Sequence, residues 1–198
     1  MSGPVGQRRH ASPPAPDAGL VARLAAVATT DLSDAMHHAG AMHSGVGPLY
    51  TPFERFAGPA VTVSAPAGSL EARRAAIEVL RPGDVLVIEA RAISAWAVLG
   101  GSLAERIRSA GAVGVVLEGC ARDVDEIREL ELPVLCRGHG VGAAPRVGPG
   151  EVNVPVACGG VVVTPGDVVV GDVDGAVVVP RGHEQEVLDA VAARLAGA

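Results

Sequence analysis

Apolar and polar positions alternate with two different periods along the chain. Between Ala18 and Ala28 the residues Leu20, Leu24 and Val27 recur at helical spacing. The same period, with its caps, predicts a short helix from Thr30 or Asp31 to Ala39, stopped by Gly40, and helices over 69–80, 102–110, 123–130 and 183–195. Between the helices lie short runs rich in β-branched residues, Ala60–Ala65, Val85–Glu89, Val113–Leu117 and Pro133–Cys136, which read as buried strands. Three successive strand–helix units, 61–80, 85–110 and 113–130, imply a mostly parallel sheet with helices packed on it. From Val152 the pattern changes. Val152–Val156, Gly160–Val163, Asp167–Gly171 and Ala176–Val179 are Val-rich strands divided by Pro165-Gly166-Asp167 and Asp174-Gly175 turns, which predicts an antiparallel unit. The expected fold is a single layered α/β domain, of α/β/β type, over residues 18–198. Residues 1–17, rich in Pro, Ser and Gly, read as a disordered tail.

Composition narrows the chemistry. Hydrophobic residues make up 48% of the 198 and aromatic residues only 2%, so Val, Ala, Leu and Ile must build the core. Tyr50, Phe53 and Phe56 fall in one loop, where they either pack beneath it or form an interface patch. Trp96 falls in a loop or helix leading to Gly100, with core packing as its expected role. A net charge of −6 argues against a nucleic-acid partner, which calls for a basic face. No apolar run is long enough to span a membrane. Cys120, Cys136 and Cys158 are odd in number and widely spaced, which predicts reduced thiols and a cytoplasmic location.

Candidate chemistry gathers between Gly100 and Asp123. Ser102-Leu-Ala-Glu105 has the form of a capping box, so a helix is expected to start at Ser102 behind two glycines. Free N–H groups at such a start suit an anion. Arg122 and Asp123 follow the strand 113–117, where α/β proteins place their ligand crevice. Arg122 offers a planar fork to a carboxylate, and Asp123 a hard oxygen to Mg²⁺ or Mn²⁺. A plainer reading stands beside this one. Asp123-Val-Asp-Glu126 also fits a capping box, and Arg122 is then a surface arginine. Cys120 lacks a local histidine to activate it. His37, His38 and His43 do not share a helix face, and Arg73 and Arg74 read as a solvated face. Asp167, Asp172 and Asp174 read as turn residues.

The ordered landmarks resemble the RraA-like family. They are Thr30-x-x-Ser33-Asp34-Ala35, Arg81-Pro82-Gly83-Asp84, Gly100-Gly101 through Gly119-x-x-Arg122-Asp123, and Leu132-Pro133-Val134. Further on come Gly150 to Pro155, Gly159-Gly160, Pro165-Gly166-Asp167 and Asp172-x-Asp174-Gly175 up to Pro180. The resemblance spans roughly residues 25–182. It implies a divalent-metal-dependent lyase that cleaves a C–C bond of a small 2-oxo acid by retro-aldol reaction or decarboxylation. It equally admits a non-catalytic regulator of a ribonuclease, or an oxo-acid enzyme of a specialised pathway. A methyltransferase label used for some members is disfavoured by the lack of a G-x-G-x-x-G loop. Carried over, Arg122 binds substrate carboxylate and carbonyl, Asp123 holds Mg²⁺ or Mn²⁺ largely through waters, and Gly100, Gly101, Ser102 and Leu103 bind the pyruvyl oxygens by their backbone. The resemblance also implies a homotrimer or hexamer. Two positions depart from it. The acid that the aldolases usually carry twenty-one residues before the arginine is Gly101 here, with Glu105 one turn on as a candidate substitute. The segment Glu89–Ser94 replaces a glycine-rich stretch.

Overall fold

The computed structural model describes residues 3–66, 69–91, 96–144 and 148–197. The chain opens with α1 (Ala18–Ala25), α2 (Thr29–Ala35), β1 (Gly47–Pro48), β2 (Phe56–Ser64), α3 (Leu70–Ile77), β3 (Val85–Glu89), β4 (Ala97–Leu99) and α4 (Gly101–Ser109). It continues with β5 (Gly114–Ala121), α5 (Val124–Glu129), β6 (Val134–His139), β7 (Glu151–Val152), β8 (Val156–Cys158), β9 (Val161–Val163), β10 (Val168–Asp172), β11 (Gly175–Val179) and α6 (Glu184–Ala196).

One sheet carries the order β1-β6-β5-β3-β2-β10-β11. Its centre, β6-β5-β3-β2, is parallel. Its flanks pair antiparallel, β1 on β6 and β10 on both β2 and β11. The edges curl toward each other until Val46, beside β1, reaches Gly175 of β11, so the sheet is nearly closed. The period of two along the strands sorts the core. Leu86, Ile88, Val115 and Leu117 face α3, α4 and α5, meeting Ala76, Leu103, Ile107 and Ile127. Val85, Val87 and Val116 face the other way, onto Val156, Cys158 and Val163 of the separate β8–β9 hairpin. Val168, Val170, Val177 and Val179 receive α1, α2 and α6 through Leu24, Leu32 and Val191. Helices on one face and a small β layer on the other form the layered α/β architecture that the strand–helix alternation predicts.

Tyr50 and Phe56, the latter opening β2, are buried, and Phe53 meets Tyr50 edge-on and Phe56 at a tilt, so the loop packs inward. Phe56 wedges against Gly114, where an added Cβ would lie 2.6 Å from its ring.

Several local expectations change. Helix α2 ends at Ala35, and His37 and His38 follow with φ of 51° and 65°. Gly40 is not a helix stop. It lies so close to β11 that a Cβ there would overlap the Val178 carbonyl, while the Val178 N–H donates to the Gly40 oxygen at 2.9 Å. The cap of α2 comes from β10. The Asp172 carboxylate accepts from the Thr29 N–H at 3.0 Å and the Thr29 hydroxyl at 2.6 Å. Residues 97–99, expected as loop or helix, form β4 beside the end of β5, and Trp96 is 48% exposed rather than packed in the core.

The N-terminal segment, read from composition as a disordered tail, lies along β7 and its flanks over residues 6–12. His10 N–H donates to the Val152 carbonyl and Val152 N–H to the Arg8 carbonyl, at 3.1 and 3.0 Å. Arg8 pairs with Glu151 at 2.5 Å. These contacts join residues more than 140 positions apart, which local composition does not report. Among the described residues no helix is long and apolar enough to cross a membrane.

Candidate functional site

The site forms where β5 ends. The Arg122 N–H donates to the Leu99 carbonyl at 2.8 Å, which carries the β4–β5 pairing one residue further and fixes Arg122 at the strand exit. Asp123 then adopts φ 58°, ψ 46°. This left-handed conformation costs most L-residues energy and is visited by Asp and Asn more readily. It turns the chain into α5 and aims the Asp123 side chain back at the start of α4.

There the carboxylate does the work expected of a local capping residue. Helix α4 begins at Gly101, one residue earlier than the Ser102 box predicts, with extended Gly100 as its N-cap and no side-chain cap of its own. The Gly101 N–H donates to Asp123 Oδ2 at 3.1 Å. Arg122 Nε approaches the same oxygen at 3.4 Å. Asp123 makes no cap bond to α5, the helix it precedes, so its capping-box reading is not what the geometry draws. The Leu103 N–H, expected free for a ligand, donates to the Gly100 carbonyl at 3.0 Å. Ser102 remains exposed at the helix start.

Both glycines are seats for side chains from elsewhere. A Cβ on Gly100 would fall 2.6 Å from Asp123 Oδ2 and 3.1 Å from Arg122 Nε. A Cβ on Gly101 would overlap a carboxylate oxygen of Glu126.

Gly100, Ser102, Leu103, Arg122 and Asp123 line one cavity of ≈ 170 Å³. Three residues that the sequence reading left out of the site join them: Arg73, Arg74 and Arg106. Arg73 is buried, not solvated. It donates to the Val98 carbonyl and, through Nε, to the Ser69 carbonyl at 3.3 Å. Burial, then the neighbouring Arg74 charge, lowers its pKa to about 10. A signal for it existed. Ser69, Ala72, Arg73, Ala76 and Ile77 share the buried stripe of α3, and an arginine on such a stripe needs polar work to do. With four arginines to one aspartate, the cavity is locally positive in a chain of net charge −6. Such a lining concentrates small anions. Glu105, the suggested substitute for an acid at position 101, is exposed and outside this cavity. Of the divergent segment 89–94, residues 92–94 lie outside the described residues.

The other candidates stay apart. His43 stands against Arg137 and the Gly45 N–H, at 3.1 and 3.0 Å. His38 meets Ser33. The three cysteines are buried thiols, and burial pushes Cys136 up to about 11 and Cys158 higher still. Asp167 accepts the Thr164 and Arg181 N–H groups, as a turn residue does. No group of three or more His, Cys, Asp or Glu suited to a metal occurs among the described residues. Those residues therefore offer no cage of protein ligands. A single carboxylate with open water on one side does fit a hard cation that keeps most of its hydration shell. Asp123, its side chain one-third exposed, is such a group.

Known proteins resemble this chain over most of its length. The RraA-like family, described as Aldolase/RraA, matches residues 29–178. A Halalkalibacterium halodurans protein with the provisional name 4-hydroxy-4-methyl-2-oxoglutarate aldolase is 36% identical, over 85% of this chain and 80% of its own. Streptomyces coelicolor RraAS2, described as an unusual member of the RNase ES inhibitor RraA protein family, superposes with a TM-score of 0.82 at 34% identity, covering 91% of this chain and 94% of its own. The RNA-processing inhibitor RraA of Thermus thermophilis gives 0.70 at 32% identity, over 78% and 93%.

Proposed function

The chain belongs to the RraA-like family, and from that premise we propose that it is a divalent-metal-dependent lyase cleaving a C–C bond of a small 2-oxo acid. The observation that carries this reading is the convergence of Arg122, Asp123 and the first turn of α4 on one arginine-lined cavity. The relatives with an aldolase name support the reaction class.

Each residue has a part in the proposed chemistry. Arg122 binds the substrate carboxylate with its planar fork and holds the 2-oxo group beside it. The start of α4, through the Ser102 N–H and the helix dipole, stabilises negative charge growing on the oxo oxygen as the C–C bond breaks. Asp123 would hold Mg²⁺ or Mn²⁺, which would supply Lewis-acid chemistry to the site when bound. Arg73, Arg74 and Arg106 add positive charge along the cavity wall, which favours substrates with a further carboxylate. A homotrimer or hexamer in the cytoplasm completes the proposal, and light scattering on the purified protein checks the assembly.

A second reading, a regulator that binds a ribonuclease, is favoured by Gly101 and by the inhibitor relatives. One assay separates the two. Pyruvate release from oxaloacetate and from 4-hydroxy-4-methyl-2-oxoglutarate is coupled to NADH oxidation by lactate dehydrogenase, with Mg²⁺, with Mn²⁺ and with EDTA. The lyase gives metal-dependent release that EDTA abolishes. No release above background from folded protein refutes a lyase acting on these two substrates, and Mn²⁺ and oxalate binding then separates an enzyme for another oxo acid from the regulator.

A further inference from the structure

Residues 100 and 101 seat two different carboxylates. Asp123 fills the volume that a side chain on Gly100 would occupy. Glu126 fills the corresponding volume at Gly101, where its Cδ and Cβ lie 3.0 and 3.1 Å from the position of an added Cβ. The two acids are the left-handed N-cap and the third residue of α5, and both side chains turn toward the Gly100-Gly101 pair. Both reach the first turn of α4, whose dipole favours negative charge.

Glu126 has no other occupation. It stands at the third position of α5, from which a capping box reaches back to the N-cap N–H. That bond is not formed, and its side chain makes no hydrogen bond or ion pair among the described residues. A flexible, exposed glutamate would normally spread its negative charge into solvent. Glu126, like Glu105, lies outside the cavity lining, but it is folded over Gly101, the residue whose N–H is held by Asp123, and two carboxylates drawn to one residue repel unless a cation or oriented water sits between them.

We infer that Glu126 is a positioning residue of the site: it delivers from α5 the carboxylate for which residue 101 has no side chain, and there orients the water shell of a cation held at Asp123. This rests on the metal-dependent reading above. It also gives Gly101 a reason. A larger residue there would evict the Glu126 carboxylate, so the glycine and the glutamate form one device. Either residue 101 or residue 126 can carry the acid, and the geometry accommodates one at a time.

The test is Mn²⁺ binding by the full chain, read from the loss of the free-ion electron paramagnetic resonance signal, with and without oxalate as an anionic probe. Glu126→Gln keeps the shape and removes the charge, and is expected to weaken Mn²⁺ binding about tenfold, as loss of an outer-shell partner does. Glu126→Ala is expected to weaken it as much. Gly101→Asp placed on Glu126→Ala restores affinity to within about threefold of the starting protein, since the seat is refilled from α4. A purely structural role for Glu126 at the α4 terminus predicts no such exchange. Unchanged Mn²⁺ binding in Glu126→Gln overturns the inference while leaving the metal site standing. A folded double variant as weak as Glu126→Ala also overturns it. If the double variant does not fold, Glu126→Gln alone decides. Absence of Mn²⁺ binding by the unsubstituted chain overturns the inference together with the metal-dependent reading.

Discussion

Substitution of Asp123 separates its backbone role from its chemical one. Three replacements divide its tasks differently. Asn retains an oxygen to accept the Gly101 N–H and tolerates the left-handed conformation at φ 58°. It gives up only the charge. That charge acts at a helix N-terminus and beside Arg122 in a partly exposed setting, so the stability cost is expected to be below about 0.5 kcal/mol. Gly removes the cap but welcomes the backbone conformation, at a net cost of about 1 kcal/mol. Ala removes the cap and keeps a Cβ in the left-handed region, which adds roughly another 1 kcal/mol to give about 2 kcal/mol. Urea unfolding at one fixed protein concentration should therefore rank the midpoints Asn above Gly above Ala. Pyruvate release should follow a different pattern, falling at least about 100-fold in all three, because each lacks the carboxylate proposed to hold the metal. An Ala variant as stable as the Gly variant would refute the backbone argument. An Asn variant with undiminished metal-dependent turnover would refute the chemical one.

Three further outcomes follow from other contacts. Arg122→Lys replaces a fork with a point charge at a half-exposed position, so kcat/KM should fall about tenfold or more while the melting temperature holds; equal kinetics would remove the bidentate role. Gly40→Ala forces a Cβ into the Val178 carbonyl and should cost about 2 kcal/mol, or about 4–8 °C in a thermal melt. Asp172 is buried, which alone would raise its pKa, but hydrogen bonds from Thr29 and Asp174 and the Arg55 charge outweigh this and hold it below the usual carboxylate value. Its stabilisation is therefore complete above the unfolded-state pKa near 4 and lost as pH falls through the lower folded value. Asp172→Ala, which strands the buried Thr29 donors, should cost about 2–3 kcal/mol at pH 7, with the difference from the unsubstituted chain shrinking below about pH 4; a difference independent of pH would count against the charged cap.

The sequence made the framework legible where local signals and long-range packing agree. The apolar runs at Val85–Glu89 and Pro133–Cys136 identify central strands because a strand buried on both faces has few other compositions. Pro165-Gly166-Asp167 marks its turn because the Asp167 carboxylate bonds backbone N–H groups close by in sequence. What stayed hidden depends on partners far along the chain. The N-terminal segment looks like a tail because its Pro and Ser say nothing of Glu151 and Val152. Helix α2 looks self-capped because its true cap, Asp172, lies 143 residues away from Thr29. Arg73 reads as solvated by its charge, but its position on the buried stripe of α3 carries it into the cavity wall.

The site shows the same division. Arg122 and Asp123 are visible as a pair at a strand end, and their neighbourhood with Gly100 and Gly101 is visible as a spacing. The spacing does not reveal that the glycines are receptacles. A glycine is usually read for its conformational freedom, yet neither Gly100 nor Gly101 adopts a positive φ. What they contribute is absence of volume, and absence acquires meaning only when the residue that enters it is known. At Gly100 the entrant is Asp123, which thereby caps a helix earlier in the chain than itself. At Gly101 it is Glu126. Read by position alone, a glycine where the family resemblance leads one to expect an acid is a lost functional group. Read in three dimensions, the negative charge is still beside the start of α4, carried by a different helix. On the proposed reading, a site defined by where its charges converge keeps its chemistry while the residues that supply it change.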